Sequence, residues 1–378
     1  MPPRVLVDLL GFTGARGGTE TYTREIVTRL PKFLPDAQFV ALANRTALER
    51  VGGFFPGEVR AVRWVGADRV TWAAGELVAV NRAARALDID VIWSPANFGP
   101  ISRAPAARVI TAHDVIYHEA RGSGLAGILA WPSSMLMERS VRTADAVITG
   151  SHAAAAALES HIGVPASAMS VIPHGTRNGV APEAPWAQLA PLGIAPGRPL
   201  VLSTGNRLPH KNFDGLVRAL ATIRPERRPL LVITGGRRDD PLVPLTRDLR
   251  LTDDVRLPGW VSADQLESLY AVADLYTCPS LSEGFGLPVV DAMRRGCVVL
   301  ANDVPVLREV GGTAARYADA ASPAAFGRAI TEALDAAPDA DRRAQGRDWS
   351  ERFTWEESAR RTAAVLTQAA ALTERRRA

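Results

Sequence analysis

The sequence predicts an α/β protein built from two doubly wound domains. Its 378 residues exceed what one hydrophobic core usually holds, so two domains are expected. Short apolar runs alternate with longer amphipathic runs, which is typical of buried parallel strands followed by helices. The alternation stops over residues 179–198, which are rich in Pro, Ala and Gly, and then resumes. Two such halves in series predict Rossmann-like domains that face a cleft.

The predicted elements follow this pattern in chain order. Residues 1–178 form the N-terminal domain, with strands at "RVLVDLL", "QFVALA", "DVIWSP", "RVITAHD" and "DAVITGS". Residues 179–198 form a linker. Residues 199–352 form the C-terminal domain, with strands at "LVLSTGN", "LLVITGG", "DVRLPGW", "LYTCPS" and "VVLAN". Over residues 353–378, apolar side chains recur at helical spacing and predict one amphipathic C-terminal helix.

The composition excludes several classes of protein. The formal net charge of +4 is small, and no helix carries the dense Arg/Lys stripe that binds nucleic acid. The two cysteines, Cys278 and Cys297, belong to no CxxC pair, which predicts neither disulfides nor a zinc site and indicates a reducing compartment. Asp8 interrupts the first apolar run, which therefore predicts a strand and not a signal peptide. No apolar run reaches the roughly 18 residues of a membrane span, so we expect a cytoplasmic protein.

A glycine-flanked loop in residues 280–293, "SLSEGFGLPVVDAM", predicts an anion site. Pro288 suits the first turn of a helix, where its missing N–H is not needed. The backbone N–H groups of Gly286, Leu287 and Val289 would then project from the helix start. Together with the helix dipole they favour an anion such as phosphate.

Two acids border this loop, Glu283 before it and Asp291 one turn into the helix. Carboxylates repel phosphate, so we expect them to face hydroxyl groups. A sugar or ribose that bears a diphosphate matches that mixture. From spacing alone, two acids that merely complement the helix N-terminus explain the pattern equally well.

The segment "STGNRLPHKNFDGLVRAL", residues 203–220, places two cations after a strand. Arg207 and Lys211 lie on the loop between that strand and the next helix. In a domain that already has an anion loop, they suggest a clamp for a diphosphate. A pair of solvated surface cations is the alternative.

The N-terminal half contains a possible glycine-rich anion loop in "GARGGTETYTREIV", residues 14–27. Gly17 and Gly18 form a turn into a helix, with Thr19 as its expected N-cap. A two-glycine turn is weak evidence, because structural turns outnumber phosphate loops.

In "TAHDVIYHE", His113 and Asp114 directly follow an apolar strand. An imidazole beside a carboxylate is suited to proton chemistry or to orienting a hydroxyl, although both side chains could equally be satisfied by local backbone. A zinc site that uses His113 and His118 lacks a third ligand, so no metal is expected.

Taken together, these segments resemble the retaining glycosyltransferases of the GT-B fold, family four (glycosyltransferase group 1 type). The matching features are the two acids around "EGFGLPVVD", the cations of "NRLPHKN", the "GGTE" loop, the His-Asp strand end, the strand end Gly150-Ser151, and "IPHG" at residues 172–175. The set covers nearly the whole chain in order. The resemblance implies the GT-B fold, with a C-terminal helix that crosses back to the N-terminal domain.

The resemblance also implies how the donor's diphosphate is held. Arg207 and Lys211 would bind it and stabilise the charge of the leaving group. The backbone of Gly18 would assist, together with the backbone of a loop that consists of Phe285, Gly286 and Leu287. No bound metal or other cofactor would be required, because cations and N–H groups compensate the charge.

The remaining roles follow from the same resemblance. Glu283 would contact the sugar hydroxyls, Asp291 the ribose, and the backbone of Gly259 the nucleobase, while His113 would line the reacting centre near the acceptor. The second acid is usually Glu in this family, and Asp291 is shorter by one carbon–carbon bond, roughly 1.5 Å. The ribose contact is therefore the one most affected by the difference.

The implied reaction transfers a sugar from a nucleotide diphosphate sugar to a hydroxyl of a glycan, a glycolipid or a small natural product, with retention of configuration. The alternative is a sugar-nucleotide-binding protein of the same fold that no longer transfers. The apolar segment 124–137, "GLAGILAWPSSMLM", is expected to be core or acceptor-pocket wall, with peripheral contact at the inner face of a membrane as the alternative.

Overall fold

A computed structural model describes residues 2–14, 17–102, 105–114, 125–237, 239–336 and 339–378, with backbone only for Arg69 and for residues 125–133. The chain divides into two compact units. The first comprises residues 1–175 and 355–378, and the second comprises residues 176–354.

The first unit contains a parallel sheet with the strand order β3-β2-β1-β4-β5-β6-β7. Its strands are β1 (Arg4–Leu9), β2 (Gln38–Asn44), β3 (Glu58–Val62), β4 (Val91–Ser94), β5 (Ala107–Thr111), β6 (Ala146–Thr149) and β7 (Met169–Val171). In the middle of the sheet, Leu6 of β1 pairs with Val40 of β2 on one side and with Ile92 of β4 on the other. The strand order therefore reverses between β1 and β4, the place where doubly wound sheets bind ligands.

Helices cover the faces of this sheet, which explains why consecutive residues of its central strands β1, β4 and β5 are buried, and not only every second residue. In the described part of this unit, the α-helices before the C-terminal helix are Gly18–Val27, Leu30–Phe33, Leu48–Gly52, Arg69–Ala86, Leu125–Arg142 and His152–Ile162. In β1, Val5, Leu6 and Val7 are fully buried.

The C-terminal helix, Trp355–Arg377, belongs to the first unit, as the predicted fold requires. Ala359 and Leu366 of its apolar stripe are buried. Near its end, Thr373 accepts a hydrogen bond from the N–H of Ala107 and donates one to the carbonyl of Asp90. The C-terminal helix is therefore hydrogen-bonded to the first residue of β5 and forms part of the core of the first unit.

The second unit contains a parallel sheet with the order β10-β9-β8-β11-β12-β13. Its strands are β8 (Leu200–Thr204), β9 (Leu230–Thr234), β10 (Val255–Gly259), β11 (Leu275–Cys278), β12 (Val299–Asn302) and β13 (Arg316–Ala318). Its helices are Pro185–Leu189, Phe213–Ala221, Leu242–Asp248, Ala263–Val272, Leu287–Arg294, Pro305–Gly311, Pro323–Asp335 and Ala340–Ser350. Two parallel doubly wound sheets confirm the predicted fold class.

Residues 179–198, expected from composition to be a linker, lie within the second unit instead. They contain the short helix Pro185–Leu189, which packs against Ala263–Val272. Leu189 and Ile194 are buried there, so a few apolar side chains anchor a segment whose composition is otherwise typical of a loop.

Both cysteines are buried free thiols, in agreement with the absence of a disulfide pattern. Within the part of the chain that the structure describes, no helix combines the length and the apolar character needed to cross a membrane.

Candidate active site

The carboxyl edge of the second sheet brings Lys211 and Glu283 into contact. Lys211 ends a 3-10 turn after β8, and Glu283 lies in the loop after β11. The Nζ of Lys211 donates to Oε1 of Glu283 at 2.6 Å, and the two side chains are only 16% and 9% exposed. They are 72 residues apart in sequence. They meet because β8 and β11 are neighbours whose carboxyl ends share an edge.

The loop that presents the lysine is held from both sides. Asn212 adopts a left-handed conformation, with φ of 53°. Its side-chain N–H groups donate to the carbonyls of Ala320 at 2.8 Å and Pro279 at 3.3 Å. The N–H of Leu281 donates to the carbonyl of His210 at 2.8 Å, which ties the loops after β8 and β11 together. The Lys–Glu pair therefore sits on a fixed framework.

The helix Leu287–Arg294 begins beside this pair, as predicted. Gly286 precedes it with φ of 90°, and a Cβ there would lie 2.7 Å from a methyl group of Leu307, so only glycine fits. The N–H of Val289 donates to the carbonyl of Gly286 at 2.9 Å. The prediction that Val289 presents its N–H to an anion is therefore wrong, because the first helical turn uses that donor.

Phe285 anchors the loop between the acid and the helix. Its side chain is 4% exposed and packs edge-on against Phe353, with ring centroids 5.6 Å apart. Val290 and Val310 complete the same cluster. The backbone of this loop is thereby fixed by burial of its one aromatic side chain.

Arg207 lies at the same edge but turns into the protein. Its Nε donates to both carboxylate oxygens of Asp240, at 2.9 and 3.1 Å, and the ion pair is almost fully buried. Its terminal N–H groups donate to the carbonyls of Gly205, Ile233 and Thr234. The structure thus directs this guanidinium to the ends of β8 and β9, whereas the sequence predicted that it faces a diphosphate. No pattern in the sequence indicated that Asp240 pairs with Arg207.

Asp291 is held by partners that the sequence did not indicate. Its Oδ1 accepts a hydrogen bond from the hydroxyl of Thr176 and lies 3.6 Å from the guanidinium of Arg295. Arg295 in turn forms a two-bond pair with Glu267, at 2.6 and 2.8 Å. Burial, followed by the charge of Asp291, raises the pKa of the neighbouring Tyr270. The side chain of Asp291 is thus shorter than the usual glutamate, but its neighbours fix the orientation of its carboxylate.

Gly259 ends β10 at the same carboxyl edge of the second sheet. It has φ of 72°, and its carbonyl accepts a hydrogen bond from the N–H of Gly235 at 2.8 Å. Gly235 itself has φ of 89°, and a Cβ on it would lie 2.4 Å from the carbonyl oxygen of Gly205. Glycines thus let the ends of β8, β9 and β10 pack without side chains.

In the first unit, His113 follows β5 and is 8% exposed. Its Nε2 lies 2.8 Å from the carbonyl of Pro95, and because a carbonyl only accepts, that nitrogen carries the proton. Its Nδ1 then accepts from Nε2 of His174 at 3.2 Å. Burial lowers the pKa of His113 to about 4, so the ring is neutral at pH 7. Both ring nitrogens of His113 therefore form hydrogen bonds within the first unit.

His174 belongs to the "IPHG" segment, to which the sequence assigned no side-chain role. It is buried, and burial, followed by the neighbouring His113, lowers its pKa well below the usual range. Tyr22 packs against both imidazoles with centroids 4.7 and 4.8 Å away, and Trp355 stacks on His174. A neutral histidine pair in an aromatic cluster results, which spacing alone does not predict.

The glycine loop of the first unit leads into the helix Gly18–Val27. Gly17, and not Thr19, is its N-cap, and no side chain caps it. Thr19 lies within the first turn, where its carbonyl accepts a hydrogen bond from the hydroxyl of Thr23. The prediction that Thr19 caps this helix is therefore wrong.

Some predictions fall outside the described residues. His118 of the zinc alternative is among these, and so are Gly124 and the side chains of residues 125–133 in the apolar segment 124–137. Among the residues that are described, no group of three or more His, Cys, Asp or Glu side chains could hold a metal ion.

Two family models match the chain in tandem, one for each sheet. The model described as Glycosyltransferase Family 4 matches residues 16–177, and that described as Glycosyl transferases group 1 matches residues 186–348. The chain therefore belongs to the group 1, family 4 glycosyltransferases.

Curated relatives match over part of their length. A D-inositol 3-phosphate glycosyltransferase of Nocardia farcinica is 38% identical over 127 residues, 31% of this chain and 28% of the relative. The O-antigen chain mannosyltransferase B of Escherichia coli is 34% identical over 162 residues, 41% of this chain and 42% of the relative. The chain thus spans less than half the length of these two relatives.

Solved structures match over nearly the whole chain. Sucrose-phosphate synthase of Thermosynechococcus elongatus has a TM-score of 0.76 at 21% identity, covering 98% of this chain and 100% of that one. WaaG, a glycosyltransferase involved in lipopolysaccharide biosynthesis, has a TM-score of 0.75 at 16% identity, with 96% and 99% coverage. HepE of Anabaena, in complex with UDP, has a TM-score of 0.72 at 19% identity, with 97% and 100% coverage. At these identities the likeness concerns the GT-B fold.

Proposed function

We propose that the protein is a retaining glycosyltransferase that moves a sugar from a nucleotide diphosphate sugar to an acceptor hydroxyl. The observation that carries this proposal is the Lys211–Glu283 pair beside the helix start at Gly286. A cation, a carboxylate and a helix N-terminus at one strand edge suit a ligand with both phosphates and hydroxyls. The similar fold of HepE, solved with UDP and with UDP-glucose, supports a donor of this class.

In this proposal the second unit binds the donor. Lys211 and the backbone of residues 285–287 receive the diphosphate, and Glu283 exchanges its lysine partner for sugar hydroxyls. Asp291 holds the ribose with an oxygen that Thr176 already orients. Gly259 offers its backbone to the nucleobase.

The bond between the sugar's anomeric carbon and the diphosphate oxygen breaks, and the acceptor oxygen bonds to the same face of that carbon. The acceptor's proton passes to an oxygen of the departing diphosphate. Lys211 and the helix start stabilise the charge that develops on that group, usually the largest contribution in such catalysis. Because these groups compensate the charge, the proposed step needs no metal.

Two residues act less directly than the sequence suggested. We assign Arg207 to positioning, because its donors hold the ends of β8 and β9. His113 lines the acceptor side as a neutral ring. Since burial lowers its pKa to about 4, it is a poor proton acceptor, which is consistent with proton transfer to the diphosphate.

A donor panel tests the function directly. We expect one of the UDP-, GDP- or dTDP-sugars to raise the melting temperature and to be hydrolysed slowly without acceptor, and we expect this activity to persist in excess EDTA. Thermal shift and nucleotide release are measured with and without EDTA. Binding without nucleotide release, in the presence of candidate acceptor sugars too, would indicate the non-catalytic alternative. Complete loss in EDTA that Mg²⁺ or Mn²⁺ restores would contradict the metal-free diphosphate site.

Asp291→Asn should mainly raise the donor KM. Loss of one charge-assisted hydrogen bond of about 1.5 kcal/mol corresponds to a rise of about tenfold in the donor KM. The value of kcat should change little, because the ribose is remote from the bond that breaks. Asp303→Asn is the matched control, since Asp303 pairs with Arg308 at an exposed position of the same unit. Steady-state kinetics measure both variants. A large fall in kcat with unchanged KM would place Asp291 at the transferred sugar.

A further inference from the structure

The carboxylate of Asp291 is held by two groups of the second unit. Its Oδ1 accepts a hydrogen bond from the hydroxyl of Thr176, a residue that is 8% exposed. The same oxygen lies 3.6 Å from Nη1 of Arg295. The side chain of Asp291 is 35% exposed and that of Arg295 is 12% exposed, so the carboxylate is more open to a ligand than its cation is.

Arg295 is itself fixed by its surroundings. Its Nε and Nη2 donate to the two carboxylate oxygens of Glu267 at 2.8 and 2.6 Å. Its guanidinium lies over the ring of Tyr270, 4.9 Å from the ring centroid. Gly179 packs on the ion pair, because a Cβ there would overlap the Glu267 carboxylate and lie 2.6 Å from Nε of Arg295. The cation therefore keeps its place and fixes the direction in which Asp291 points.

This cation draws Asp291 away from the helix start to which the diphosphate is assigned. The backbone of residues 285–287 precedes and begins the helix, whereas Arg295 follows its last residue and is four positions beyond Asp291. Residues four apart share one helix face, so their attraction pulls the carboxylate towards the helix end. The aspartate is also shorter than a glutamate by roughly 1.5 Å. Its carboxylate therefore stays farther from the helix start than a glutamate at this position could reach.

The number of ribose hydroxyls that such a carboxylate can hold follows from this arrangement. A carboxylate holds the 2′- and 3′-hydroxyls of a ribose together when it turns one oxygen towards each of them. In Asp291, Oδ1 already accepts from the hydroxyl of Thr176 and faces Arg295. Thr176 thus supplies to the carboxylate one of the two hydroxyl groups that a ribose would otherwise supply.

We propose that the pentose subsite of the donor binds one hydroxyl, the 3′-hydroxyl, and that the donors of this protein include 2′-deoxyribonucleoside diphosphate sugars such as dTDP-sugars. The inference rests on the proposed transferase function and deepens it by naming the pentose that the site admits. When a ribose donor binds, its 2′-hydroxyl stays hydrated, and the exchange of water for protein contributes little to affinity. The site therefore does not select ribose over deoxyribose.

Pairs of nucleotides that differ only at the 2′ position test this inference. The pairs are UDP with 2′-deoxy-UDP, GDP with 2′-deoxy-GDP, and 5-methyl-UDP with dTDP, and isothermal titration calorimetry on the full chain gives each Kd. For the base that binds most tightly, we expect the two Kd values to agree within about threefold. Loss of a required charge-assisted hydrogen bond would instead weaken the deoxy form by about tenfold. A preference for the ribose form that exceeds threefold would overturn the inference.

Two variants assign this lack of selection to Asp291 and Thr176. Asp291→Glu restores the reach to both hydroxyls, and Thr176→Val removes the hydroxyl that stands in for one of them. We expect each variant to prefer the ribose form by about tenfold. The control is Thr331→Val, because the hydroxyl of Thr331 donates to the carbonyl of Gly327 at 3.0 Å within the helix Pro323–Asp335 of the same unit. Its ratio of Kd values should equal that of the unmodified chain.

Circular dichroism checks that each variant folds, and Asp291→Glu decides the test by itself if Thr176→Val does not fold. An unchanged ratio of Kd values in Asp291→Glu would overturn the inference. An unchanged ratio in a folded Thr176→Val would overturn the part assigned to the hydroxyl of Thr176.

The same titrations separate this inference from the function on which it rests. Binding of a nucleotide with a strong preference for ribose would leave the donor site intact and overturn the deoxyribose inference alone. Failure of all six nucleotides to bind would remove the donor site, and both the transferase function and this inference would fail together.

Discussion

Lys211→Ala is expected to lower kcat/KM for the donor by about a hundred- to a thousandfold. Lys211 supplies an ammonium at the edge proposed to bind the diphosphate, whereas Arg207 turns towards Asp240. Charge on the departing diphosphate would lose its main electrostatic partner in a site where both members of the Lys211–Glu283 pair are largely buried. Steady-state donor hydrolysis and glycosyl transfer both measure the loss.

The substitution also leaves Glu283 buried without its cation, which lowers stability as well as activity. The double variant Lys211→Met/Glu283→Gln removes both charges and separates the two effects. If it folds normally and is still inactive, the loss is chemical. Near wild-type turnover by Lys211→Ala at saturating donor would show that the diphosphate binds elsewhere.

The sequence contains only one other lysine, Lys32, which provides an internal control. Lys32 is 68% exposed in the first unit, whereas Lys211 is 16% exposed in the second. We expect a lysine-directed acylating reagent to modify both, and the nucleotide found in the donor panel to protect Lys211 alone. Mass spectrometry of the two peptides reads this out independently of turnover. Modification of Lys211 at the same rate with and without nucleotide would contradict the assignment.

The fold could be predicted from short-range pattern, and so could the position of Lys211 and Glu283 in loops that follow strands. The ion pair between these two side chains, which are 72 residues apart, was not predicted. Apolar runs mark buried strands, and residues just after neighbouring parallel strands share one edge. The helix start at Gly286 was predictable from glycine and proline chemistry. Such patterns predict where the edge of a sheet lies and which residue types occur along it.

The direction of individual side chains at that edge could not be predicted. Arg207 and Asp240 are 33 residues apart, and His113 and His174 are 61 residues apart. No local spacing reveals either pair. Each is selected by burial, because a buried charge or imidazole must find a partner wherever the fold offers one. The interpretation of Arg207 as a phosphate ligand therefore came from its position in the sequence and from the family resemblance, and neither of these indicates Asp240.

Arg207→Met is expected to lower the free energy of unfolding of the second unit by about 3–5 kcal/mol, the usual cost of removing one member of a buried ion pair. Asp240 is 4% exposed in the pair, and among the described residues the N–H of Leu242 is the other donor to its carboxylate. The carbonyls at the ends of β8 and β9 would also lose the guanidinium. Urea unfolding, followed by circular dichroism, measures the change.

Arg227→Met is the matched control, because Arg227 pairs with Asp335 at an exposed position of the same unit, with side chains 48% and 59% exposed. Exposed pairs contribute about 0–1 kcal/mol, so this variant should unfold nearly as the unmodified chain does. If Arg207 acts by positioning, Arg207→Met that is still folded at low temperature should keep more donor turnover than Lys211→Ala. If Arg207→Met instead has unchanged stability and no turnover, Arg207 does not act by positioning. The guanidinium would then have to leave Asp240 when the donor binds, and Arg207 would be the phosphate ligand that the family resemblance implies.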